Sequence, residues 1–172
     1  MQIQAATQSD IPAIMRVERV DGYARFIGRW DAEQHAAELE NPSSRYLVVR
    51  DGTDIAGFAL LQEIGRFSQS VRLRRIAVEN AGRGVGSILL RSVLQTCFDD
   101  LAAHRVYLYV FVENERAYRT YLKNGFVAEG IVRDGHRDPD GSFRSMRLMS
   151  MLRPEWAARP DGATDACTAP VA

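Results

Sequence analysis

Residues 71–78, Val-Arg-Leu-Arg-Arg-Ile-Ala-Val, read as a strand whose apolar residues change sides part-way along. Side chains of a strand alternate between faces, so those entering one core should share a parity. Val71 and Leu73 are odd, Ile76 and Val78 are even, and Arg74-Arg75 lie at the change. One surplus residue restores the alternation, and a strand accommodates it as a β-bulge. Backbone groups left outside the ladder by a bulge need water, a side chain or a ligand, or the bulge serves only to twist a sheet edge. Downstream, Val85, Ile88, Leu89, Val93, Leu94, Phe98 and Leu101 recur at helical spacing over 84–101, opposite a wet stripe of Arg91, Gln95 and Asp99. A strand over 105–112 and a helix over 114–124, stopped by Gly125, come next. Strand, helix, strand, helix predicts a mixed α/β fold whose central sheet has helices on both faces.

The flanks supply the rest of the sheet. A short strand over 3–5 precedes a helix over 9–20, with Ser9 and Asp10 as cap candidates and Pro12 in its first turn. A second helix over 31–39 is stopped by Asn41-Pro42. Strands over 46–50 and 55–63 flank Asp51-Gly52, a hairpin signal, with a loop longer than two residues. Strands over 126–133 and 143–152 form a second hairpin around Asp138-Pro139-Asp140-Gly141.

With 172 residues, 46% of them hydrophobic, one domain is expected over 1–153, followed by a flexible tail over 154–172 where large apolar groups become scarce. Lys plus Arg number 22 and Asp plus Glu 22, so the broad positive field of a nucleic-acid binder is missing. No stretch approaches the ~18 apolar residues of a membrane span, and the start lacks the pattern of a signal peptide. A cytoplasmic protein, with neither nucleic acid nor membrane as partner, is the expectation. Cys97 within a helix and Cys167 near the end offer no disulfide framework and no zinc spacing, so no metal is expected. His35, His104 and His136 are scattered, in keeping with structural or exposed roles.

The chemistry is expected in 79–88, Glu-Asn-Ala-Gly-Arg-Gly-Val-Gly-Ser-Ile, three glycines around an arginine at the mouth of the long helix. Glycines admit close backbone approach, and the N–H groups of a helix start make an anion site. No Gly-Lys-Ser/Thr follows Gly86, which argues against a nucleotide switch of the Walker type, and the spacing is not a full dinucleotide fingerprint. Taken alone, the loop is equally a plain strand-to-helix turn. A valine at Gly84 or Gly86 is expected to disturb a ligand more than the fold.

Beyond it, Asn114, Ala117, Tyr121 and Gly125-Phe126 complete a pattern. From the glycine loop through these positions, and in element order over 3–152, the chain resembles the GNAT superfamily of acyl-CoA-dependent N-acetyltransferases. Glu129-Gly130 to Arg133 and Met149 to Leu152 look most like the branch of ribosomal-protein N-terminal and diamine acetyltransferases. The resemblance implies a GNAT-type mixed sheet of about seven strands, splayed at a cleft that takes acetyl-CoA as cosubstrate. It implies that the backbone of Ile76, Ala77 and Val78 meets the pantetheine arm, with the Val78 N–H polarising the thioester carbonyl. Arg83, Gly84, Val85, Gly86 and Ser87 would cradle the pyrophosphate, Asn114 would bond a pantetheine amide beside Ala117, and Tyr121 would protonate the leaving thiolate.

Each role has a plainer rival: Asn114 as a helix N-cap, Tyr121 as a core aromatic, Cys97 as core rather than nucleophile. The chain also departs from the family, with Ala81 opening the glycine motif and Arg72 and Tyr109 standing where relatives often carry a carboxylate. The base is unassigned; Glu18, Asp21, Asp31 and Glu33 are acidic candidates, or a solvated helix face. The implied function is acetyl transfer from acetyl-CoA to a primary amine of a small molecule or a protein N-terminus. The alternative is a CoA-binding regulatory module without turnover. Residues 23–30 could line the acceptor pocket or pack the core, and a homodimer is compatible with the resemblance.

Overall fold

The structure is a computed structural model that describes residues 1–23, 25–80, 82 and 84–159. Strands β1 (Gln2–Ala5), β2 (Arg45–Asp51), β3 (Asp54–Gln62), β4 (Ser70–Val78), β5 (Arg105–Phe111), β6 (Val127–Arg137) and β7 (Phe143–Leu152) form one sheet in the order β1-β2-β3-β4-β5-β7-β6. All neighbours are antiparallel except β4 and β5, which are joined through helix α3 (Val85–Gln95). Helices α1 (Ile11–Glu18) and α2 (Ala32–Glu40) cover one face; α3, α4 (Glu115–Lys123) and α5 (Arg153–Ala157) cover the other.

The parity fault is a bulge at Arg74. Leu60 faces Arg75 and Leu61 faces Leu73, which leaves Arg74 without an opposite residue on β3. Val71, Leu73 and Val78 accordingly enter the core under α3, with Ile76 packed against it, while Ala77 enters the other core with Ile14, Val17, Tyr46 and Phe58. Arg75 is carried to that second face, where it is 6% exposed. Its Nη1 donates to Oε2 of fully buried Glu18 at 2.8 Å, and its guanidinium lies 4.0 Å from the Trp30 ring centroid. Glu18 also accepts from Arg19 at 3.0 Å and from the Trp30 N–H at 3.1 Å.

Several boundaries differ from expectation for local reasons. The first helix starts as a 3₁₀ turn, Gln8–Asp10, because the Asp10 carboxylate caps backward onto the Thr7 N–H at 2.9 Å and meets Arg50 at 2.5 Å. The β2–β3 loop is two residues, since Asp51 pairs with Asp54 and Gly52 has φ +64°; a register shift further along lengthens the apparent loop in sequence. The long helix leaves α geometry after Gln95 and ends in a π turn, Thr96–Asp100.

The expected tail begins too early. α5 packs Trp156, 4% exposed, on Phe98 at 5.8 Å between centroids. Only the part from residue 160 onward, with Cys167, lies outside the described residues. No helix among the described residues is long and apolar enough to cross a membrane.

Removing Glu18 would leave the Arg75 charge buried without its carboxylate, which typically costs about 3–5 kcal/mol. Denaturant unfolding of Glu18→Ala should show a loss in that range, with much of it recovered in the Glu18→Met, Arg75→Met double variant. A single variant within ~1 kcal/mol of the parent would show that this pair does not hold α1 to the bulged strand.

Candidate active site

β4 and β5 are paired only at Ser70–Arg105, Val71–Val106 and Arg72–Tyr107. Past that point β5 stays with β7 as far as Phe111, and β4 stays with β3 as far as Val78, so the two strands diverge into a wedge. The bulge initiates the divergence by turning β4 toward β3. Consecutive residues of a strand point their N–H and C=O to opposite edges. Ala77 and Glu79 use the β3 edge, as the Glu79 N–H bond to the Ala56 carbonyl shows at 2.8 Å, and Ile76 and Val78 therefore face the wedge. Of the three backbone positions expected there, Ala77 is turned away.

The Val78 groups are engaged by a residue that sequence reading left unassigned. Tyr23 Oη accepts from the Val78 N–H at 3.1 Å and donates to the Val78 carbonyl at 3.0 Å. The loop between α1 and α2 thus lays a phenol across the end of β4. Tyr121, on α4, lies nearby: burial first, and then Tyr23, pushes its hydroxyl above the usual tyrosine range. Its ring belongs to the core and meets Phe126 edge-on at 5.6 Å.

At the mouth of the wedge, Gly84 is the N-cap of α3 with φ +78°, and Ser87 and Ile88 donate back to its carbonyl at 3.0 and 3.1 Å. The N–H groups of Val85 and Gly86 precede these bonds at the positive end of the helix. Arg83 and Ala81 lie outside the described residues. Asn114 caps α4, its Oδ1 accepting from the Ala117 N–H at 3.1 Å, so its carbonyl and the Ala117 N–H are used locally. Beside the start of α3 a groove of about 260 Å³ is lined by Ser87, Ile88, Arg91, Asn124, Trp156 and Arg159. Trp156 and Arg159 fell within the expected tail and carried no motif to mark them.

The remaining candidates do not gather at the wedge. Cys97 is fully buried and its thiol is pushed up to about 12 by burial, which removes it as a nucleophile. Glu18 is locked to Arg75, and Asp31 is the N-cap of α2, accepting from the Gln34 N–H at 2.8 Å. His35 is buried, with Nδ1 2.9 Å from Tyr46 Oη.

The profile of the Acetyltransferase (GNAT) family matches residues 11–126, more than half of the chain. The chain belongs to that family. Among curated relatives, it is 29% identical over 124 residues to a spermidine N(1)-acetyltransferase of Vibrio cholerae, covering 71% of this chain and 70% of the relative. It is 30% identical over 121 residues to the N-alpha-acetyltransferase RimI of Mycobacterium tuberculosis, covering 69% of this chain and 74% of the relative. A solved spermidine N-acetyltransferase variant from Vibrio cholerae superimposes with a TM-score of 0.77 at 24% identity, over 90% of this chain and 96% of that one. The shared fold is the splayed mixed sheet with helices on both faces. In this GNAT domain the glycine loop, wedge and Tyr121 all fall within the matched residues.

The two loop glycines carry different constraints. Gly84 sits in the left-handed region, whereas a Cβ at Gly86 would meet nothing nearer than Val78 Cγ1 at 3.9 Å. The expectation that a valine at either position leaves the fold largely intact meets a backbone penalty at Gly84, while at Gly86 a Cβ finds room. Gly84→Ala should lower unfolding stability by about 1–2 kcal/mol, and Gly86→Ala should leave it unchanged or slightly raised. Equal losses in chemical denaturation would mean the loop does not require the left-handed turn.

Proposed function

We propose that this chain moves an acetyl group from acetyl-CoA to a primary amine by direct attack within a ternary complex. The observation that carries the proposal is the wedge: the Val78 N–H on its β4 edge, Tyr121 beside it and the α3 N-terminus at its mouth. The relatives named as spermidine and N-alpha-acetyltransferases support an amine acceptor.

In this reading Ile76 and Val78 offer backbone groups to the pantetheine arm, and Val85, Gly86 and Ser87 present the helix start to the pyrophosphate. Arg83 adds charge there. Asn114 bonds a pantetheine amide through its side-chain N–H₂, since its oxygen caps α4. The Val78 N–H is aimed at the thioester oxygen, where negative charge develops as the amine attacks. Tyr23 must give up that N–H when the carbonyl arrives, so its hydroxyl holds the place of the substrate oxygen in the free enzyme.

As nitrogen bonds the carbonyl carbon, the carbon–sulfur bond breaks, the nitrogen loses a proton and the sulfur gains one. Tyr121 stays protonated through the neutral range. With a pKa above that of a thiol, near ~8.5, it serves the sulfur chiefly by donating a hydrogen bond rather than by complete transfer. Glu18 and Asp31 are engaged elsewhere, so in this reading the amine arrives neutral or loses its proton through water.

Free thiol released from acetyl-CoA with a panel of amines tests the activity; binding without release would leave the CoA-binding module as the correct reading. Tyr121→Phe keeps the ring and should lower kcat tenfold to a hundredfold, with thermal stability and acetyl-CoA affinity nearly unchanged. The rate should rise with pH as the amine deprotonates, and Tyr121 should impose no fall below about pH 10. Full kcat in Tyr121→Phe would return that residue to packing alone.

A further inference from the structure

On the sheet face opposite α3 and α4, β4 brings Arg72, Arg74 and Arg75 together beside the wedge. Arg72 sits at the last paired rung of β4 and β5, at the apex of the wedge, with its guanidinium 5.1 Å from the Tyr109 ring centroid. Its Nε is buried without a hydrogen-bond partner. A buried guanidinium N–H normally finds an acceptor, so the gap calls for one. Arg75 Nε, on the same strand past the bulge, is in the same condition. Arg74 is exposed and makes no ion pair with a described residue; partial desolvation of its guanidinium first, and then the charges of Arg72 and Arg75, lower its pKa against the pull of Glu38.

The nearby carboxylates are hydrogen-bonded or ion-paired elsewhere, although Glu38 keeps its charge and acts favourably on Arg74 and Arg75 from a distance. Glu63 accepts from Tyr107 Oη at 2.8 Å and lies 3.6 Å from Arg66. Glu18 holds Arg75 and Arg19, and Glu38 accepts from Ser44 and from Gln62. Cationic surface of this kind repels a polyamine and attracts an anion.

We infer, resting on the acetyltransferase reading above, that the amine acceptor carries a carboxylate, which Arg72 and Arg74 receive. Geometry sets its distance from the amine. From Arg72 to Val78 the strand advances ~16 Å, allowing one residue for the bulge. The Arg72 guanidinium over Tyr109 lies two residues, ~6.6 Å, nearer the open end than its own rung. With the reacting nitrogen at the Val78 rung and the carboxylate against the guanidinium, the two stand about 10 Å apart along the strand. A free α-amino acid is too short to span that gap. A peptide N-terminus with an acidic side chain at its second or third position fits it.

The test compares acetyl transfer, read as thiol release, to Ser-Ala-Glu, Ser-Ala-Gln and Ser-Ala-Lys peptides, to spermidine and to free amino acids. The acidic peptide should have the highest kcat/KM, about tenfold above its Gln counterpart at low salt, and the advantage should shrink as salt rises. In Arg72→Gln and in exposed Arg74→Gln the acidic-to-neutral ratio should fall toward one through KM, while Arg72→Lys should retain part of it. A preference for spermidine, the Lys peptide or free amino acids, or an acidic preference that survives both Gln substitutions, overturns this inference while leaving acetyl transfer intact. No thiol release with any amine would overturn the function itself, and the inference with it.

Discussion

A single unpaired residue in a central strand governs the architecture of this protein. Arg74 has no opposite number on β3, and every side chain beyond it on β4 changes face. The change sends Arg75 into the core beneath α1, where Glu18 fixes it, and it carries β4 away from β5 after three paired positions. Were β4 regular, ladder hydrogen bonds would close the gap and Val78 would spend its N–H on β5. The bulge converts two backbone groups per exposed residue from structural bonds into groups able to meet something else. Holding them open requires that both flanking cores be rigid, and the fully buried Phe58, Leu60, Leu89 and Leu108 show that they are.

The electrostatics follow from the same displacement. Arg75, beside the bulge, is ion-paired to the buried Glu18, while Arg72 and Arg74 make no ion pair with a described residue. Arg72 holds its guanidinium over the Tyr109 ring, 5.1 Å from the centroid. The other side of the sheet carries the helix starts at Gly84 and Asn114 and the core-packed ring of Tyr121.

Much of this is legible in the sequence because it is local. The bulge announces itself as a parity change within eight residues, and the glycine loop and the Asn114 to Tyr121 spacing lie on single elements. Tyr23 is of another kind. It meets Val78 across 55 positions of sequence, and the segment around it reads equally as core or as pocket. The C-terminal helix was missed because a short stretch with one large aromatic resembles a tail until the Phe98 surface that receives Trp156 is known. The β2–β3 turn looks longer in sequence than it is because a surplus residue on β3 itself, at Ala56, shifts the register just beyond the turn. Local periodicity records what a segment can bury; it does not record which distant side chain will take up a free backbone group.

The central claim is that the opened edge of β4 receives the thioester. A crystal structure with bound acetyl-CoA measures it directly. The account predicts the thioester oxygen within hydrogen-bond distance of the Val78 N–H, the sulfur facing Tyr121, and the Tyr23 hydroxyl displaced from both Val78 groups. Acetyl-CoA bound with Tyr23 still bridging Val78, or seated outside the divergence of β4 and β5, would contradict it.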